Sequence, residues 1–210
     1  MSTDALLQRW TVAWRDLAGV AAPTAVLEEL LECYREPQRA YHTLQHLAEC
    51  LDWLDRSRHL CGSPAAVEIA LWFHDGIYQP RRHHNEARSA AWAQRICRKA
   101  GVSTAISRQV RDLVLATGHG AAPEDADGQA LVDIDLAILG AEPDRFAEYE
   151  EQVRREYAWV NDKAFARARA GVLRGFLERG SVYRTGWFRE RLEARARANL
   201  MRALERWEAG

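Results

Sequence analysis

Apolar residues recur at intervals of three and four along almost the whole chain, and runs that alternate every second residue are missing. That period gathers apolar side chains on one face of an α-helix and would scatter them across both faces of a strand. Residues 4–18 carry Leu6, Leu7, Trp10, Ala13, Trp14 and Leu17 on this pattern. Pro23 stands where a second helix opens, with Val26, Leu27, Leu30, Leu31 and Tyr34 following and Pro37 at its end. Leu44, Leu47, Leu51 and Leu54 mark a third. Ser63-Pro64 reads as a cap with proline in the first turn, and the run from Ala65 to Phe73 leads to His74-Asp75-Gly76, where the glycine reads as a stop. Further helices are expected over 86–100, 103–116 and 129–139, from Pro143, and over 160–179 and 187–208, with loops at 76–85 and 117–128. No repeat or linker divides the sequence. The expectation is an all-α fold: a single-domain helical bundle over 1–210, with a core at about 40–140 and C-terminal helices at about 141–208.

Charge and composition remove several function classes. Lys and Arg number 29 against 30 Asp and Glu, so the basic balance expected of a nucleic-acid-binding domain is lacking. No 18-residue apolar run is present, so no membrane span is expected. The stretch MSTDALLQRW has no basic region followed by an apolar core, and no signal peptide is expected either. Cys33, Cys50, Cys61 and Cys97 form no CxxC pair and read as free thiols of a reducing, cytoplasmic compartment. The tryptophans fall mostly at apolar helix positions and read as core, with Trp72, Tyr78 and Tyr41 as the aromatics that could line a pocket.

All seven histidines lie between residues 42 and 119, which points to a site in the middle of the chain. His42 and His46, in YHTLQH, are spaced i, i+4, which suits two ligands on one helical face. His74 and Asp75 follow the apolar stretch ALWF. Neighbouring side chains on a helix diverge by about 100°, so this pair reaches one ion only near a helix end, which Gly76 would supply. Burying such a pair is costly unless both groups are bonded or bind metal. Asp133 and Asp135, in LVDIDLAILG, need a partner for the same reason, or cap a helix.

His…His-Asp…Asp in this order resembles the HD-domain superfamily of metal-dependent phosphohydrolases. YHTLQHL, WFHDGIY, NEARSA and DIDLAILG look like a small bacterial subgroup of predicted phosphohydrolases in that superfamily, as do REYAWV, FLERGSVYRT and EARARANL farther on. The resemblance covers about residues 40–201. It implies an HD-type bundle with His46, His74, Asp75 and Asp135 on one divalent metal. His42 competes with His46 for the first position, and Asp133 becomes an outer carboxylate or helix cap. Some HD enzymes hold a second metal, for which His119, with His42 and Asp133 in support, is the candidate. His83, His84 and His59 read as surface residues.

Two imidazoles and two carboxylates suit Mn, Fe, Co, Ni or Zn without choosing among them. The implied reaction is hydrolysis of a small phosphorylated molecule, nucleotides included, by metal-activated water. Asp75 would act as ligand and proton acceptor, with Glu86 taking the proton when Asp75 is held by metal. Arg39, Arg81 and Arg82 are the cations that could bind the phosphate. Two other outcomes stay open on the same scaffold: a metal- or nucleotide-binding module without turnover, and a di-iron oxygenase. The C-terminal helix carries Leu192, Leu200, Leu204 and Trp207, which would pack on the bundle or across a homodimer.

Overall fold

The computed structural model describes residues 3–118 and 123–209, and all regular structure among them is helical, as the apolar period requires. Ten α-helices run in chain order: α1 Thr3–Ala18, α2 Thr24–Cys33, α3 Leu44–Ser57, α4 Pro64–Phe73, α5 Asn85–Lys99, α6 Thr104–Ala116, α7 Ala126–Asp135, α8 Pro143–Glu156, α9 Asp162–Leu177 and α10 Gly186–Ala209. Short 3-10 segments follow α3 at Arg58–Leu60 and α7 at Leu136–Gly140. The backbone gathers into two compact units, residues 1–131 and 132–210, with the division inside α7.

In the first unit, α4 is the buried axis. Every residue from Ala66 to Phe73 is buried, and α1, α3, α5 and α6 pack around it. A helix apolar on all sides has to lie inside. Its one charged residue, Glu68, is held by Arg9 at 2.9 Å and Arg58 at 3.2 Å. Burial still pushes that carboxyl above its ordinary range against both arginines. Trp10, Trp14 and Trp72 are wholly buried, and Trp10 meets the other two edge-on at 5.3 Å. Trp72 is therefore core and does not line a pocket. Trp159, by contrast, is 51% exposed.

Local signals place several helix starts. Thr43 caps α3 by accepting from Gln45 N at 3.3 Å, and Ser103 caps α6 by accepting from Ile106 N at 3.3 Å. Ser63 makes no such side-chain bond. Instead Asp127 accepts from the backbone N–H groups of Gly62 and Ser63, at 2.7 and 3.1 Å, and holds the entry to α4. α2 stops at Cys33, short of Pro37, and α7 begins at Ala126, inside the stretch expected to be loop. Gly76 keeps a negative φ, so its backbone is not left-handed. It is needed for space, since a Cβ there would lie 3.1 Å from Leu30 Cδ2, Phe73 O and Trp92 Cζ3.

In the second unit, α10 packs along α9 and over the 3-10 segment at Leu136–Gly140. Leu192 and Leu200 are buried there. Buried Asn199 donates to Leu139 O and Ala141 O, both at 2.9 Å. Trp207 Nε1 donates to Glu150 Oε2 at 2.7 Å, and Glu150 also pairs with Arg169. The apolar and aromatic face of the C-terminal helix is thus engaged within its own unit. Among the described residues no helix is long and apolar enough to cross a membrane.

Candidate metal centre

The end of α4 and the first turns of α3 bring His46, Cys50, His74 and Asp75 together. Thr43 fixes the start of α3, which puts His46 and Cys50, one turn apart, on the same face. α4 ends at Phe73, so His74 and Asp75 sit on the turn after it, where adjacent side chains can converge. His46 Nε2 lies 3.1 Å from His74 Nε2 and 3.4 Å from Asp75 Oδ2. His74 Nε2 lies 3.0 Å from the same oxygen. Both imidazoles are 2% exposed.

Proton bookkeeping shows what these atoms can do. His74 Nδ1 is 2.7 Å from Leu71 O. A carbonyl oxygen only accepts, so the neutral ring carries its proton on Nδ1 and turns a lone pair from Nε2 toward His46 and Asp75. A backbone carbonyl behind one nitrogen is the usual support of a metal-binding histidine. Ligand atoms sharing an ion at bonds of about 2.0–2.2 Å stand about 3.0–3.5 Å apart at angles near 90–110°. The three separations fall in that range. His46, Cys50 and His74 each offer a ligand atom within 4.8 Å of one another, and such a group could bind a metal ion.

Burial pushes the Asp75 carboxyl up, but in the metal-free chain positive charge on His74 and His42 and N–H bonds from His46 and His74 outweigh it and hold the group well below the ordinary carboxylate range, a contribution His74 gives up when it turns a neutral Nε2 to a metal. Asp75 is therefore ionised at neutral pH.

His42 is not on the helical face that its spacing suggested. Thr43 is extended and α3 begins at Leu44, so His42 precedes the helix. Its ring stacks on Tyr78 at 3.9 Å and stands 6.0 Å from the His46 ring, centre to centre. It faces the group electrostatically, through Asp75, from outside it. Tyr41, 5% exposed, lies 4.6 Å from the His46 ring and closes that side.

Arg39 does not reach outward to a phosphate. Its side chain is fully buried. Nη1 donates to Asp75 O at 2.7 Å and to His42 O at 3.0 Å, Nη2 to Gly76 O at 3.2 Å, and Nε to Glu36 at 3.0 Å. It clamps the turn that carries Asp75, and the expectation that it binds substrate is corrected on that ground. Arg81 and Arg82 are exposed, in the loop between α4 and α5. The flanks of that loop are tied down: Asn85 exchanges bonds with Gln79 N and Gln79 O, and Ser89 Oγ accepts from Ile77 N at 3.0 Å. NEARSA thus anchors the loop. Glu86, in the first turn of α5, runs beside Gly118. His83, His84 and His59 are exposed, and His119 lies outside the described residues.

Asp133 is a structural carboxylate of the second unit. It is fully buried and accepts from Arg184 N at 2.7 Å, Thr185 N at 2.7 Å and Thr185 Oγ1 at 2.8 Å, which secures the entry to α10. Burial pushes its carboxyl up against these donors. Both oxygens are engaged, so the second-metal role is corrected and the cap-like role remains. Asp135 ends α7 and is half-buried.

Cys50 is the member that the sequence reading passed over as one of four free thiols. Its signal was the His-x-x-x-Cys spacing from His46 in HLAEC. Sγ lies 3.7 Å from both ring nitrogens of His46. Set against protein-family models, curated proteins and solved structures, the chain finds no match.

Proposed function

We propose that this protein is a metal-dependent phosphohydrolase of the HD type, acting on a small phosphorylated molecule such as a nucleotide. The observation that supports the reading best is the convergence of His46 Nε2, His74 Nε2 and Asp75 Oδ2 at 3.0–3.4 Å, with Leu71 O behind His74 Nδ1. Asp135 is the fourth ligand that the resemblance to the HD superfamily implies.

Mn, Fe, Co, Ni or Zn, when bound, would neutralise phosphoryl charge and make water a stronger nucleophile near neutral pH. The chain supplies the rest. Leu71 O holds the His74 proton on Nδ1 and so keeps Nε2 available. Asp75 gives Oδ2 to the group and its other oxygen to the proton leaving the attacking water, with Glu86 as the second acceptor. Arg81 and Arg82 offer guanidinium charge to a phosphate from the exposed middle of a loop with pinned flanks. Arg39 holds the Asp75 backbone from behind.

The test is elemental analysis of the untagged protein purified without chelator, then phosphate release from a panel of phosphorylated compounds. One divalent ion per chain, lost in His74→Ala, together with metal-dependent phosphate release, is the expected result. No metal after incubation with all five ions overturns the reading. Bound metal with every compound recovered unmodified makes the chain a binding module. Two iron ions per chain with visible absorption make it an oxygenase.

A further inference from the structure

We propose that Cys50 is a ligand of this same centre and that its sulfur makes the site select Zn, Co or Fe over Mg and Mn. The proposal rests on the metal-centre reading above and adds a residue which that reading does not use.

Three observations carry it. Cys50 is 2% exposed and sits one helical turn after His46, on the face that holds the group. Its Sγ and the ligand nitrogens of His46 and His74 lie within 4.8 Å of one another. Sγ also lies 3.7 Å from both Nδ1 and Nε2 of His46. At bond lengths of about 2.0–2.1 Å for nitrogen and 2.3 Å for sulfur, two ligands on one tetrahedral ion stand about 3.6 Å apart. The Sγ–Nε2 separation is close to that edge.

The consequence follows from ligand softness. Carboxylate and imidazole alone admit hard and borderline ions, whereas a thiolate disfavours Mg and Mn and suits zinc-like ions. On binding, the S–H bond breaks, the proton leaves to solvent, and the sulfur electron pair forms the bond to the ion.

Cobalt(II) reports sulfur directly, through a sulfur-to-cobalt charge-transfer band in the near ultraviolet, separate from the visible bands that any ligand set gives. The experiment titrates the metal-free full chain with cobalt, and does the same for Cys50→Ala and Cys50→Ser. Zinc and manganese are then competed on each. The expected result is one cobalt per chain with the near-ultraviolet band in the unaltered protein, loss of the band in both variants, and a fall of at least about tenfold in zinc-over-manganese preference. Cobalt bound by the unaltered protein without the band overturns the Cys50 proposal and leaves the metal centre standing, as does a band that persists in both variants. Failure of the unaltered protein to bind cobalt removes the centre and Cys50 with it. Because the unaltered protein carries the deciding spectrum, misfolding of one variant does not shelter the proposal.

Discussion

The Nε2 atoms of His46 and His74 face each other at 3.1 Å in a site almost closed to solvent. When His74 is neutral its proton lies toward Leu71 O, so at most one hydrogen then joins the two nitrogens, and only if His46 supplies it. A cation between them would satisfy both rings and Asp75 at once. Divalent metal is therefore expected to stabilise the native chain against urea, by about 2.7 kcal/mol at a free concentration a hundred times the Kd. Urea melts with and without chelator check this, and no difference in midpoint would contradict it.

Arg39→Lys is expected to weaken both the turn and the ion site. Lysine cannot reproduce the fork that bonds Glu36, His42 O, Asp75 O and Gly76 O together. Stranding buried carbonyls costs about 1–3 kcal/mol each. A drop of about 2 kcal/mol in urea stability of the metal-free chain should accompany a fall of about tenfold in metal affinity. Unchanged affinity would show that Arg39 supports the fold alone.

Asp133→Asn should separate structure from chemistry. The amide keeps one acceptor oxygen and turns an NH2 toward N–H donors of Arg184 and Thr185. We expect about 2–3 kcal/mol of lost stability with metal stoichiometry unchanged. Loss of metal in a variant that remains folded would restore Asp133 to the ion site.

Glu193 sets a pH dependence in the acid range. Burial pushes its carboxyl up, but N–H groups of Val182 and Tyr183, the Ser181 hydroxyl and Arg197 outweigh that and hold it below its ordinary value. A depressed carboxylate contributes stability that is present above the unfolded pKa, about 4.3, and is lost as pH falls through the folded value. Glu193→Gln should cost about 1 kcal/mol at pH 7 and nothing well below pH 4. Urea midpoints across that range measure it, and an equal loss at every pH would refute the assignment.

Gly140→Ala should be among the more damaging small changes. A Cβ there would sit 2.7 Å from Leu192 Cβ and from Tyr183 Oη, where the 3-10 segment presses on α10. Overpacking of this kind costs about 1–3 kcal/mol. A thermal melt at the unaltered midpoint would show that the contact relaxes freely.

The all-helical class is local information, because a three-and-four apolar period can be buried on one side only by a helix. The proline at the start of α4 acts on its own first turn and so is legible as a start, as is the start of α6 at residue 103, whereas Ser63, read as a cap, makes no capping bond. The donor types were legible too: imidazole and carboxylate beside an apolar helix need partners wherever they lie. Which partner each one takes is not local. His46 and His74 are 28 residues apart and meet only because α3 packs on α4. Thr43 breaks the helical phase between His42 and His46, so one spacing contains both an inner and an outer histidine. Arg39 reads in sequence as a candidate phosphate-binding cation, but the folded chain turns it inward onto three carbonyls. Asp133 and Asp135 are two residues apart, and only the resemblance ranks them as outer carboxylate or cap and as ligand; the arrival of residues 184 and 185 is what engages Asp133 as a structural acceptor. Cys50 carried a spacing signal, but a thiol four residues from a histidine has chemical meaning only once a second imidazole is brought against the first. Sequence determines which groups must be satisfied, and tertiary packing determines what satisfies them, because the packed interior brings together atoms that the chain keeps far apart.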